Sequence, residues 1–265
     1  MKILKKKRLA IQRFVNNNKL VCIVGLIFFI VAFWKSNYFM TKYNLKHNLI
    51  EEIIRNAECS KNKINDKLLG KKNRKIQTIV IDAGHGGYDS GKVGCNGAYE
   101  KDINLNISRK LFETLQKQGY MVYMTRKNDE MLGNEINNKK RSDMLERVRF
   151  INSCKPDIMI SIHQNSFTDC DVYGAQVFYL AVSKEGKNIS ELLQNNIVKI
   201  VDATNKRKAK GSEGYYILEN INCTGIIVEC GFLSNKMEAD KLVDEMYQNK
   251  IVSAIVETIE NYNEN

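Results

Sequence analysis

The sequence of 265 residues has a single proline, Pro156, and none of its seven cysteines belongs to a CxxC pair. One proline excludes a Pro-rich scaffold, and 16 glycines without a regular period exclude a collagen-like chain. Without a CxxC pair, there is no support for a structural zinc knuckle. The cysteines are scattered and odd in number, so they predict no particular disulfide, although an external domain would allow one.

Acidic residues are missing from positions 1–19, which hold seven lysines and arginines. Residues 35–75 hold eleven cations against four acids, and the 23 cations and 26 acids of residues 76–265 give that region a net charge of −3. The formal net charge of +11 is therefore carried by the N-terminal part of the chain. Because nucleic-acid binding needs basic side chains on a folded surface, this distribution argues against a nucleic-acid partner.

The one long uncharged run is LVCIVGLIFFIVAFW, at residues 20–34. It reaches about 22 Å as a helix, and flanking residues extend it toward the thickness of a bilayer. We expect an uncleaved transmembrane signal anchor over residues 20–41, with a cleaved signal peptide as the alternative. The basic segment 1–19 then stays in the cytoplasm, and the single-pass chain continues outside the membrane through a stalk at residues 42–75.

Residues 76–265 alternate between apolar strand-like runs and amphipathic helical segments. Helices are expected from about 104 to 118, 143 to 153, 185 to 205 and 235 to 262, and strands at 76–82, 120–125, 157–162, 174–180, 215–218 and 225–229. This alternation predicts a single three-layer α/β domain, with a largely parallel twisted sheet and helices on both faces.

Four chemistry-bearing residues fall where strands end or a helix begins. His85 follows the first strand, His163 follows the strand at 157–162, Glu229 ends the last strand, and Glu100 precedes the first helix. Ligands of α/β sheets bind beyond the carboxyl ends of the strands, so we expect these side chains to meet at one edge. Two histidines and one glutamate suit a catalytic zinc with an open position for water, and the second glutamate would serve as general base.

Two other interpretations of the same residues are weaker. Residues 86–92 read GGYDSGK, which matches a phosphate-binding loop, but Val93 follows where serine or threonine should bind magnesium. Cys230 could act as a thiol nucleophile, but alternation along the strand directs it away from Glu229. A buried structural cysteine is the better interpretation.

The motifs IDAGHGGYDSG, SIHQNS and VECGFLSN, with Glu100 fifteen residues after His85, resemble those of the zinc-dependent N-acetylmuramoyl-L-alanine amidases of the amidase-3 family. The resemblance covers residues 76–262. It implies that His85, Glu100 and His163 bind one Zn²⁺ per chain and that Glu229 is the catalytic glutamate. Departures from the family pattern at Gln164, Ser166 and Cys223-Thr224 do not touch these positions.

The resemblance also implies a substrate and a setting. Members of the family hydrolyse the amide between the lactyl group of N-acetylmuramic acid and L-alanine in peptidoglycan. A membrane-anchored, single-domain form is similar to the spore-cortex amidases, which prepare muramic-δ-lactam, and this places the catalytic domain in the forespore intermembrane space. The absence of a wall-binding module favours an activating or localising protein partner.

Two functions of other kinds remain open on the sequence alone. A zinc carboxypeptidase would trim the peptide stem from its end and would leave the lactyl amide intact. A non-catalytic wall-binding scaffold would bind peptidoglycan through the same surface without hydrolysing it.

Overall fold

The computed structural model describes residues 75–133 and 138–264, together with Lys35. The predicted cytoplasmic segment at 1–19, the signal anchor at 20–41 and the stalk at 42–75 lie outside these residues, apart from Lys35 and Lys75. Among the helices of the described ranges, none is both long and apolar enough to cross a membrane.

A six-stranded sheet organises the described chain, in the order β2-β1-β3-β6-β4-β5. Its strands are β1 (Thr78–Ala83), β2 (Met121–Met124), β3 (Ile158–Asn165), β4 (Gln176–Leu180), β5 (Lys210–Ser212) and β6 (Thr224–Phe232). The helices are α1 (Glu100–Lys117), α2 (Lys139–Cys154), α3 (Lys184–Ile200), α4 (Tyr216–Asn220), α5 (Lys236–Leu242) and α6 (Glu245–Glu264). Strands β2, β1, β3 and β6 are parallel, whereas β4 is antiparallel to β6 and parallel to β5. The predicted α/β fold with a largely parallel sheet is confirmed.

Alternate strand residues pack against opposite faces of the sheet. Val80, Met159 and Ile227 belong to one buried cluster together with side chains of α2 and α4. Their neighbours Ile79 and Ile160 belong to a larger cluster on the other face, with side chains of α1, α3 and α6. Helices therefore cover both faces, as the uninterrupted apolar runs of these strands predicted.

Two element predictions were wrong, and one strand was not predicted. Residues 215–218 do not form a strand, because Tyr216–Asn220 is helix α4, which buries the consecutive residues Ile217 and Leu218. The edge position belongs instead to β5, whose sequence Lys-Gly-Ser carries no strand pattern. The segment at 235–262 is two helices, and the Asp244 carboxylate between them accepts a hydrogen bond from the Tyr247 amide at 2.8 Å.

A buried ion pair joins β1 to α2. The guanidinium of Arg147 donates to Asp82 Oδ1 at 2.6 Å and to Asp143 Oδ2 at 2.7 Å. Asp82 Oδ2 also accepts a hydrogen bond from Ser161 in β3, at 2.7 Å. Burial raises the pKa of Asp82, but Arg147 and Ser161 outweigh burial and lower that pKa to about 2. The network therefore ties two central strands and one helix together.

Replacing Asp82 with asparagine should lower the free energy of unfolding by about 3 kcal/mol, because Arg147 then loses one of its two buried counter-charges. Since the folded pKa of Asp82 lies below the unfolded value, its contribution is present above about pH 4 and is lost as the pH falls toward 2. Urea titrations of wild type and variant from pH 7 to pH 2 measure both effects. The control Glu191→Gln removes an exposed pair with Lys187 and should cost less than about 0.5 kcal/mol. Equal losses in the two variants would contradict this account.

Candidate metal centre

The carboxyl ends of β1 and β3 bring the two histidines together. Beyond β1 the chain turns at Gly84, whose amide donates to the carbonyl of Ile162 at 3.1 Å, and His85 follows with a φ of 60°. His163 lies within β3 near its end. The two imidazole rings are 4.9 Å apart and nearly perpendicular.

Glu100 lies between the histidines. Its Oε1 atom is 3.1 Å from His85 Nε2 and 2.9 Å from His163 Nδ1. One ligand atom from each of the three residues lies within 4.8 Å of the others, so the structure brings together the three predicted ligands. Helix α1 begins at Glu100 itself rather than near Asn104, which places the carboxylate on the first helical residue.

Backbone amides fix the Glu100 carboxylate, which is only 2 % exposed. The Lys92 amide donates to Oε2 at 2.8 Å, and the Gln164 amide donates to Oε1 at 3.1 Å. Burial raises the pKa of Glu100, but hydrogen bonds from His163 and His85 outweigh it and hold the pKa far below its usual value. Burial lowers the pKa of His163, and its contact with Glu100 reverses this and raises the pKa to about 9. Glu100 is therefore ionised at neutral pH, and a cation that binds the cluster would replace the proton that this contact holds on His163.

The cluster fits a tetrahedral divalent ion. Ligand atoms at about 2.0–2.1 Å from zinc are about 3.3 Å from one another, close to the contacts that Glu100 Oε1 makes with the two rings. Space for these rings depends on glycine. A Cβ atom at Gly84 would lie 2.3 Å from the His163 ring, and one at Gly91 would lie 2.5 Å from Glu100 Oε2. Two imidazoles and one carboxylate form a donor set that suits zinc.

Side chains that the sequence did not single out orient His85. Asp89 Oδ2 lies 2.8 Å from His85 Nδ1, so the Nε2 atom of the ring is directed toward Glu100. Lys140 at the start of α2 contacts the other oxygen of Asp89 at 3.0 Å. A carboxylate behind a histidine ligand fixes its tautomer and ring orientation. Asp89 lies four residues after His85 in the same motif, and this short spacing could have identified it from the sequence as a partner of His85.

Two buried arginines hold the loop that carries His85. Arg126 donates to the carbonyls of Ala83 at 2.9 Å and Gly84 at 3.0 Å, and Arg147 donates to the Ala83 carbonyl at 2.8 Å. Burial lowers the pKa of Arg126 to about 10. These contacts depend on long-range folding, so nothing in the local sequence near His85 predicted them.

Glu229 lies beside His163, because the two residues are aligned across β3 and β6. The strand continues to Phe232, so the prediction that Glu229 ends it was wrong. Glu229 is 9 % exposed, and within the described ranges its Oε2 atom has no hydrogen-bond partner. Burial raises the pKa of Glu229 to about 7, with His163 opposing and Glu100 adding to the rise. A carboxyl group with this pKa can both accept and donate a proton near neutral pH.

The structure contradicts the two weaker interpretations. Cys230 is fully buried in the cluster on the sheet face opposite Glu229, and burial strongly raises the pKa of its thiol. The glycine-rich segment 86–92 does not lead into a helix, because α1 begins only at Glu100. Neither a thiol nucleophile nor a phosphate-binding loop fits this geometry.

Known proteins are similar to this chain in sequence and in overall fold. The model of the N-acetylmuramoyl-L-alanine amidase family matches residues 79–261. The germination-specific N-acetylmuramoyl-L-alanine amidase of Bacillus subtilis is 36 % identical over 188 residues, which cover 69 % of this chain and 78 % of the relative. The structure of the CwlD amidase of Clostridioides difficile in complex with the GerS lipoprotein is 38 % identical, with a TM-score of 0.68, and the match covers 70 % of this chain and 98 % of that one.

Replacing Gly84 with alanine should displace the His163 ring and lower the affinity for a divalent ion by at least about tenfold, because the added Cβ overlaps the ring. Competition with a fluorescent chelator measures this affinity without reference to any reaction. Gly97→Ala is the control, since a Cβ at Gly97 meets nothing within 4 Å although its φ of 83° makes the substitution strained. Loss of stability without loss of metal affinity is expected for Gly97→Ala, and the same result for Gly84→Ala would contradict the role of Gly84.

Proposed function

The chain belongs to the N-acetylmuramoyl-L-alanine amidase family, and from this premise we propose that it is a zinc-dependent hydrolase of the lactyl amide of peptidoglycan. The bond cleaved joins N-acetylmuramic acid to the L-alanine of the peptide stem. The observation that carries the proposal is the Glu229 Oε2 atom, which has no hydrogen-bond partner among the described residues and lies beside three converging donors.

In this proposal His85, Glu100 and His163 hold one zinc ion per chain. When bound, the ion supplies Lewis acidity for a water molecule and for the amide carbonyl. Asp89 keeps the His85 ring oriented through Nδ1, and the amides of Lys92 and Gln164 keep the Glu100 carboxylate in place. The site is thus organised before substrate arrives.

Glu229 moves the proton. Its Oε2 atom takes a proton from the attacking water and then delivers it to the nitrogen of L-alanine as the carbon–nitrogen bond breaks. The raised pKa of about 7 suits both halves of this transfer. The products are a free lactyl carboxylate and a stem peptide that begins with L-alanine.

Replacing Glu229 with glutamine should reduce the rate of stem release by at least about a hundredfold, since glutamine cannot accept a proton. Mass spectrometry of digested peptidoglycan identifies the products, and metal analysis should still find one zinc per chain. Whole stems that begin at L-alanine support amide cleavage, whereas amino acids trimmed from the end of the stem would mark a carboxypeptidase. Full activity of Glu229→Gln would refute the assigned role, and a folded wild type without zinc or hydrolysis would leave only a binding function.

We also propose a role in the spore cortex, because the chain is similar to a germination-specific amidase. Removal of stems there would provide the muramic acid from which muramic-δ-lactam forms. Spores that lack this protein should contain little or no muramic-δ-lactam when their muropeptides are analysed by mass spectrometry. Normal lactam content in those spores would contradict the role.

Membrane attachment and a partner complete the proposal. Residues 20–41 would anchor the chain with its N-terminus in the cytoplasm and the catalytic domain outside, in the forespore intermembrane space. The complex of the similar CwlD amidase with a lipoprotein supports a lipoprotein partner. Fractionation and affinity purification of the full chain test both ideas: recovery from membranes with a lipoprotein is expected, and recovery as a single species from the soluble fraction would contradict them.

A further inference from the structure

A line of neighbouring residues crosses the sheet from the metal-binding cluster toward β5. His163 is aligned with Glu229, and Glu229 with Gln176 at the start of β4. The Gln176 Nε2 atom donates to the carbonyl of Lys208 at 2.9 Å, and Lys210 begins β5 opposite Phe178. Because adjacent strands are about 4.8 Å apart and β4 lies between β5 and β6, the start of β5 is about 10 Å across the sheet from β6, and Lys208 precedes that start by two residues.

The segment at 206–210 is basic, and we refer to it as the basic segment. It contains Lys206, Arg207, Lys208 and Lys210, and no acidic residue occurs between Asn205 and Ser212. Its three lysines are exposed. Within residues 75–133 and 138–264 none of them forms an ion pair, whereas Lys236, for example, lies 3.2 Å from Asp240. Cations without counter-ions beside a catalytic edge are suited to bind an anionic ligand.

Arg207 fixes this segment against the sheet. Its Nε atom donates to the Tyr173 carbonyl at 2.7 Å, and its Nη1 atom donates to Gln176 Oε1 at 3.1 Å. The guanidinium also lies 4.5 Å from the centre of the Phe232 ring in β6. Buried Asn205 adds a hydrogen bond to the Ala175 carbonyl at 2.8 Å. The backbone that carries the lysines is therefore fixed against β4 and β6.

We propose that the lysines of the basic segment bind carboxylates of the peptide stem while its L-alanine end lies at Glu229. This inference rests on the proposed amide cleavage. Beyond L-alanine the stem is an acidic peptide, with carboxylates on its glutamyl residue and at its C-terminus. An extended chain advances about 3.3–3.6 Å per residue, so the first three residues of the stem span the roughly 10 Å that separates β6 from β5 and the basic segment. The segment would select acidic stems over amidated ones.

The test compares Lys208→Gln/Lys210→Gln with wild type, both as the full zinc-loaded chain. Lys117→Gln/Lys184→Gln is the matched control, since both residues are exposed and Lys117 is 17 residues along α1 from Glu100. The substrates are muramyl tetrapeptide and the same molecule with every carboxylate amidated. Calorimetry with free tetrapeptide gives a binding constant that does not depend on hydrolysis, and thermal melts verify folding.

The Lys208→Gln/Lys210→Gln variant should raise KM for the acidic substrate about fivefold with kcat unchanged, the effect expected for two solvent-exposed charge pairs. For the amidated substrate, the KM of this variant should equal that of wild type. The control variant should have the wild-type KM for both substrates. The affinity of the Lys208→Gln/Lys210→Gln variant for free tetrapeptide should fall about fivefold. Equal KM values for the two substrates in wild type, or equal losses on both in the variant, would overturn the inference. If wild type hydrolyses neither substrate, the proposed function fails, and the calorimetric comparison still decides whether the basic segment binds stems.

Discussion

Arg147 donates from one buried guanidinium to the Asp82 side chain, to the Asp143 side chain and to the carbonyl of Ala83. The contact with Asp82 joins α2 to β1, the contact with Asp143 lies within α2, and the contact with Ala83 fixes the point where the chain leaves β1 for the histidine loop. Arg126 reinforces that point through the carbonyls of Ala83 and Gly84. Because His85 adopts a positive φ, its loop requires external support, and the two arginines provide it through the carbonyls of Ala83 and Gly84.

Glu100 and Glu229 have the same side chain, but their environments shift its pKa in opposite directions, downward for Glu100 and upward for Glu229. Glu100 is contacted by two imidazoles and two backbone amides, which stabilise its anion. Glu229 is buried, its Oε2 atom accepts no hydrogen bond from any residue that the structure describes, and burial outweighs the charge of the nearby imidazoles and raises its pKa. Because the two pKa values differ, Glu100 is suited to hold a cation and Glu229 is suited to transfer a proton.

The sequence predicted the parts of the fold and site that depend on local pattern. Apolar runs located β1, β3 and β6, and since parallel strands place their carboxyl ends at one edge, the meeting of His85, His163 and Glu229 followed. Strand β5 and helix α4 could not be predicted, because three polar residues form an edge strand only through pairing with β4, and the aromatic run at 215–218 is helical only in its tertiary setting. The arginine contacts likewise come from residues more than forty positions away from the loop they hold.

The reversed direction of β4 determines how the rim of the site is built. Since β4 begins opposite Glu229, the connection from β3 to β4 ends at that edge of the sheet, and the connection from α3 to β5 lies beside it, with the Lys208 carbonyl bonded to the Gln176 side chain. Neither connection carries a metal-binding donor or a core strand, so each can lengthen or change composition without disturbing the cluster at His85 and His163. One unchanged catalytic framework can in this way acquire different substrate ranges through the evolution of two surface loops.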